Sequence, residues 1–268
     1  MKLTSLILSS ALLTSYVSAA VPRSRSSLEE RIARRAGRRS TRPVEYIEES
    51  INSGNETQVS YSTNWSGAVI TSPPSGQTFD GVTASFVVPT PKVPSGSSSS
   101  GTYSASAWVG IDGDTYQNAI LQTGVDFTIT DGEVSYDAWY EWYPDYAYDF
   151  NIAISEGDTI TATVSSTSST AGKAVIENVT TGKKVTKSLT SSSALGGQNA
   201  EWIVEDFEEG SSLVSLANWG TVTFTGATAK TATSSENAAS AQILDIKQSG
   251  KVLTSVSVSG STITDKYV

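Results

Sequence analysis

The sequence predicts an all-β protein, and three observations carry that prediction. From Val59 onward the chain is written in short runs of Ser, Thr, Val, Ile, Gly and aromatic residues that alternate in polarity, such as FVVPT, SASAWVGI, AILQTGVDFTI, DTITATVSST and GTVTFTGA. Turn-forming strings separate the runs, among them Asp131-Gly132, Glu156-Gly157-Asp158, Thr181-Gly182-Lys183 and Ser249-Gly250-Lys251. No long segment carries the 3.6-residue apolar period of a helix. Alternation with a period of two gives each strand two unlike faces, and many such strands at short spacing build a sandwich. The expected architecture is an antiparallel β-sandwich of two large curved sheets, jelly-roll or concanavalin-like, with a cleft on the concave sheet.

Taken in order, the chain divides into three parts. Residues 1–19 read as a signal peptide: Lys2, the short apolar stretch LTSLILSSALL, then Val17-Ser18-Ala19 as a small-residue cleavage site. The stretch is too short to span a bilayer, and no later one is long and apolar enough, so a secreted, extracellular protein with no membrane partner is expected. Residues 20–58 are charge-dense, with dibasic pairs at Arg34-Arg35 and Arg38-Arg39, and too poor in apolar residues to build a core. All eight arginines of the chain lie between Arg23 and Arg42. Residues 59–268 carry nine Lys against 21 Asp plus Glu. Opposite charges side by side in one chain predict a basic propeptide that docks on the acidic body as an intramolecular inhibitor. Within the body, the Pro/Ser tract PTPKVPSGSSSSG at 89–101 reads as a flexible loop open to nicking. A monomer is expected.

Composition narrows the chemistry. The chain has no cysteine and no histidine. Disulfides, thiolate nucleophiles, Ser-His-Asp and Cys-His catalysis and imidazole metal ligation are therefore excluded. The acidic body repels phosphate backbones, which argues against nucleic acid. No cofactor is implied, and Asp112-Gly113-Asp114 is too short for a calcium loop, so no metal is expected. Carboxylates, amides and hydroxyls remain.

Two strands place such groups on one face. In AEWIVEDFEEG the pleat sets Ile203, Glu205 and Phe207 together. A carboxyl between two apolar residues faces a core or an apolar cleft, and burial suits a group that acts as both base and acid at low pH. The alternative is a rim Glu paired with a Lys. In AILQTGVDF the residues Ile120, Gln122, Gly124 and Asp126 share a face, setting an amide beside a glycine gap and a carboxylate. The alternative there is a buried Gln satisfied by backbone. WVGIDGD adds Trp108, Asp112 and Asp114 near a glycine-rich bend, and YDAWYEWYPDY surrounds Glu141 with rings. Asn64-Trp65-Ser66 and Asn178-Val179-Thr180 are glycosylation candidates at Asn64 and Asn178. Asp-Thr-Gly, GxSxG and Ser-x-x-Lys signatures are absent or do not stand out.

Six strings in this order, NWSGAVI, WVGIDGD, ILQTGVDF, YDAWYEWYPDY, AEWIVEDFEE and LANWGTVTF, resemble the fungal glutamic peptidases, the eqolisin family of scytalidoglutamic and aspergilloglutamic type. The resemblance runs from about Asn64 to the C-terminus. It implies a secreted acid endopeptidase, made as a zymogen and insensitive to pepstatin, that cleaves proteins with a catalytic Gln and Glu. Carried over by motif, these are Gln122 and Glu205. Glu205 is then the general base that activates water and afterwards the acid that protonates the leaving amine, and Gln122 binds the oxyanion and positions the water. As base in an acid medium, Glu205 is expected to keep a pKa close to the ordinary range. Trp108 and Asp112 are expected to support the cleft, with Asp126, Glu141 and Glu208 as further candidates. The rival readings are an acid glycoside hydrolase that pairs Glu141 with Glu205, and a carbohydrate-binding sandwich that stacks sugars on Trp139, Tyr140 and Trp142.

Overall fold

A computed structural model describes residues 39–48 and 59–268. The predicted signal peptide and the remainder of the basic segment, 20–38 and 49–58, lie outside the described residues. Two sheets form the sandwich. The larger runs in the order Lys251–Val252, Gln242–Gln248, Trp65–Ile70, Ala200–Glu205, Thr102–Ile111, Ile120–Thr130, Glu133–Tyr143 and Tyr148–Asp149. The second runs Lys183–Thr190, Ala171–Asn178, Thr159–Ser168, Phe79–Val87, Thr221–Thr231, Thr262–Tyr267 and Thr254–Ser259. The all-β expectation holds. It departs from a purely antiparallel plan at Val59–Ser62, which pairs parallel with Gln242–Gln248. Among the described residues no helix is long and apolar enough to cross a membrane.

Alternation along each strand of the larger sheet feeds two different apolar clusters. Ala105, Ala107, Val109, Leu121, Val125, Phe127, Trp202 and Val204 face the second sheet, where they meet Phe79, Phe86, Ile160, Val164 and Phe224. Burying an aliphatic or aromatic side chain of this size contributes about 1.5–3 kcal/mol. Trp202 also satisfies its indole N–H by donating to Thr83 O at 3.0 Å. The opposite face holds a smaller cluster of Val44, Trp65, Val69, Trp108, Ile120, Trp139, Ile203 and Leu244. That face carries the site. The predicted loop at 89–101 is held at its near end, where Lys92 and Asn218 exchange backbone hydrogen bonds, while Ser95–Ser100 are exposed.

Candidate active site

Register sets the site out in rows across the outer face of the larger sheet. One row reads Glu141, Gln122, Gly110, Glu201 and Val69; the next Trp139, Gly124, Trp108, Ile203 and Gly67; the third Asp137, Asp126, Ser106, Glu205 and Trp65. Gln122, Gly124 and Asp126 thus share a face as the sequence predicts. The glycine at 124 is required, because a Cβ there would collide with Trp108 Cβ and Ala107 O. Trp108 packs edge-on against Trp65 at 5.0 Å, and its indole N–H donates to Glu205 Oε2 at 3.0 Å. Glu205 is the last residue of its strand. Phe207 lies just beyond that strand end, yet still on the cleft side, over the Arg39 guanidinium.

Residues 39–48 lie across these rows, and the contacts run along nearly the whole segment. The Arg39 guanidinium donates from Nε and Nη2 to Asp126 at 2.7 and 2.6 Å, and its centre is 4.3 Å from the Trp139 ring and 4.4 Å from that of Phe207. Its Nη1 is 3.8 Å from Glu141 Oε2. Glu141 accepts from Ser40 Oγ and from the Thr41 N–H, each at 3.1 Å. Gln122 Nε2 donates to the Thr41 carbonyl at 3.2 Å, and the Thr41 side chain is near enough to Glu205 to help hold its carboxyl charged. Farther along, Trp65 Nε1 donates to Arg42 O at 3.0 Å, and Asn64 binds Pro43 O and the Glu45 N–H at 3.1 and 2.9 Å. Val44 bonds through its N–H to Gly113 O at 3.0 Å and through its carbonyl to Gln117 Nε2 at 3.2 Å. The Tyr46 hydroxyl donates to Asp114 at 2.6 Å. Arg42 reaches Glu208 at 2.8 Å, but half exposed.

Burial under this segment controls the titrations. It pushes Glu205 well above the ordinary carboxylate range, and the neighbouring Glu141 adds to the rise, while Arg39, Thr41 and Trp108 oppose it. Glu141 is pushed up to about 8 by burial, against the pull of Arg39 and of the Thr41 N–H. The expectation of a near-ordinary Glu205 therefore fails in this covered state, because ten residues of chain exclude water from it.

Of the predicted residues, Gln122, Glu205, Trp108, Asp126, Glu141 and Glu208 gather around residues 39–42. Asp112 does something else. At φ +70°, it accepts backbone N–H bonds from Gly196, Gly197, Gln198 and Asn199 at 2.7–3.4 Å, and so ties down a loop. Asn64, read as a glycosylation candidate, is buried under the segment it binds. Asn178 lies on the other sheet, fully buried, with its amide donating to Asp158 at 2.7 Å. Trp139 and Trp142 point to opposite faces and both are buried, so they form no open stacking platform. The sequence reading passed over Trp65, Ser106 and Gln117, while Asp114, read with Asp112 in the glycine-rich bend, meets the segment at Tyr46. It also passed over Glu201, although the period of two already put it on the face of Glu205.

Residues 63–267 match the Peptidase A4 family. The chain belongs to that family. It is 46% identical over 289 aligned positions to aspergillopepsin-2 of Aspergillus niger, and 40% identical over 278 to scytalidopepsin B of Scytalidium lignicola, with all of each chain covered. A solved scytalido-glutamic peptidase with a transition state analog inhibitor matches with a TM-score of 0.69 at 44% identity, covering 77% of this chain and 98% of that one. Aspergilloglutamic peptidase from Aspergillus niger matches with a TM-score of 0.61 at 58% identity, covering 62% and 99%. As an A4 peptidase the chain is a glutamic-type endopeptidase, which sets aside the glycoside hydrolase and carbohydrate-binding readings.

Proposed function

We propose that Glu205 and Gln122 are the catalytic pair of a secreted, pepstatin-insensitive acid endopeptidase, and that the segment through Glu48 holds it as a zymogen. The observation that supports this reading is their convergence on a single residue, Thr41, the amide bonded to its carbonyl oxygen and the carboxyl close to its side chain. A substrate carbonyl seated where the Thr41 C=O sits receives the Gln122 N–H. Ionised Glu205 takes a proton from a water whose oxygen bonds to the carbonyl carbon. The oxygen that becomes negative is held by the Gln122 amide, a donor whose charge does not change with pH. Glu205 then passes its proton to the amide nitrogen, the C–N bond breaks, and an acid and an amine leave. Proteins and peptides are the substrates. One solved relative is described as a complex with the tripeptide Ala-Ile-His.

In the zymogen reading, residues 1–19 are the signal, 20–58 the propeptide and 59–268 the catalytic domain. Arg39 occupies the acidic pocket, Thr41 covers the pair, and the excluded water leaves Glu205 without its nucleophile and without its charge. Removal of the segment readmits water and returns Glu205 towards the range a base in acid requires. The test is digestion of an unfolded protein by the acid-processed enzyme, with and without pepstatin. Pepstatin-resistant cleavage confined to acid, lost in Gln122→Ala and in Glu205→Gln, is expected. Undiminished cleavage by either variant overturns the pair.

A further inference from the structure

Gln122 has a neighbour that the reaction as written does not use. Within its row the amide is flanked on one side by Glu141, which is occupied with the segment, and on the other by Gly110 and then Glu201. Gly110 has no side chain to separate the two. A Cβ built there would lie 2.7 Å from Glu201 Oε1, 2.8 Å from Trp108 Cζ3 and 3.4 Å from Gln122 Cβ. The Glu201 carboxyl therefore fills the space over the glycine, a space that the Gln122 side chain also borders. Both residues are fully buried. Gln122 Oε1 and both carboxyl oxygens of Glu201 have no hydrogen-bond partner among the described residues. An amide whose Nε2 must face the substrate carbonyl needs a donor on its Oε1, or nothing opposes its rotation by half a turn. A carboxylate at that place would only repel the oxygen. A carboxylic acid supplies the donor.

We propose that Glu201 is a positioning residue, its O–H donating to Gln122 Oε1 directly or across one water, so that the amide presents its N–H to the substrate. The inference rests on Gln122 being the oxyanion donor. The surroundings favour the acid form. Burial comes first, and the like charges of Asp112 and Asp114 from the adjoining loop reinforce it, all raising the Glu201 pKa well above normal. Asp114 also accepts from Tyr46. Along its own strand the next ionisable side chain on that face is Glu205, and its partner across the other edge, Val69, is apolar. Gly110 and Trp108, from the strand between Glu201 and Gln122, bring no charge.

The test measures kcat and KM of the acid-processed enzyme on a quenched fluorescent peptide for Glu201→Leu and Glu201→Gln. The leucine variant removes the donor. Its kcat should fall about tenfold or more, towards the roughly 100- to 1,000-fold that loss of an oxyanion donor costs, with KM nearly unchanged. Glutamine keeps a donor in the same place and should restore most of kcat. It should also hold kcat to higher pH than wild type does, since it cannot ionise. A role in stability alone predicts no such rescue and no kcat-only loss. Wild-type kcat in the leucine variant, a loss confined to KM, or a glutamine variant as slow as the leucine one overturns the proposal. If the leucine variant fails to fold, the glutamine variant decides: a kcat that declines with pH just as wild type does overturns it. Failure of the underlying reading is separate and visible as full activity in Gln122→Ala.

Discussion

Arg39 is where the inhibitory reading can be broken most sharply. Its guanidinium is 4% exposed, bonded twice to an almost fully buried Asp126 and held between two rings. Arg42 pairs with Glu208 through a side chain that is 46% exposed. The two arginines carry equal charge but differ in what their loss leaves behind. Replacing Arg39 with Met strips a buried carboxyl of its bidentate partner, a change that costs about 3–5 kcal/mol. An exposed pair such as that of Arg42 contributes about 0–1 kcal/mol. Converted at about 1.4 kcal/mol per power of ten, Arg39→Met should weaken the segment by two to three and a half powers of ten and Arg42→Met by less than one. The assay is inhibition of the acid-processed enzyme by a synthetic peptide of residues 20–58 and its two variants at one pH. Equal inhibition constants for the two variants, or an Arg39→Met peptide within a few-fold of the parent, would refute the claim that one buried pair, rather than overall basic charge, holds the segment in place.

Two further outcomes follow from the buried acids. Burial raises Asp245 to about 6, Asp206 to about 7, and Glu201 and Asp265 well above normal. These groups keep protons in the folded chain that the unfolded chain loses near pH 4, so their stabilisation is whole below that pH and disappears as pH climbs through the folded values. The thermal midpoint of the processed enzyme should therefore drop between about pH 4 and 8, less so in Asp206→Asn; a midpoint flat or rising over that range would contradict the sign. Asp112→Ala should unfold the enzyme several degrees earlier at acid pH, since four backbone N–H groups lose their acceptor and alanine resists a positive φ. Asp112→Asn should lose less, and a midpoint for Ala no lower than for Asn would count against the loop-tie reading.

What could be read in the sequence was what depends on period and neighbourhood. Alternation along ILQTGVDF and AEWIVEDFEE was enough to place Gln122, Gly124 and Asp126 on one face of their strand and Ile203 with Glu205 on one face of theirs, because the side-chain period of a strand is fixed by its backbone. The same rule would have added Glu201, two positions before Ile203. What escaped was contact between distant segments. Asp112 looked like a cleft residue because it follows Trp108 in a glycine-rich bend; its partners, 84–87 residues away, leave no mark nearby. Asn64-Trp65-Ser66 carries a glycosylation pattern, which hid two side chains that bind main-chain carbonyls of the segment. The basic charge of the leader was plain, but not that a single arginine would be buried.

On the zymogen reading, the burial of that arginine also bears on which carboxylate holds the segment. A protonation switch must act on a group that is charged at neutral pH and neutral in acid. Glu141, pushed up to about 8, already holds its proton across most of that range, and it contacts Arg39 only at 3.8 Å. It cannot be the trigger. Glu208 meets an arginine open to solvent, where screening leaves little to lose. Asp126, with two short bonds to a guanidinium that has no other carboxylate so close among the described residues, is the carboxylate that holds the arginine most directly. An Asp126→Asn enzyme should therefore bind its own segment weakly at every pH, with an inhibition constant for the wild-type peptide well above that of the parent enzyme. A variant that bound the wild-type peptide as tightly as the parent enzyme would place the hold elsewhere.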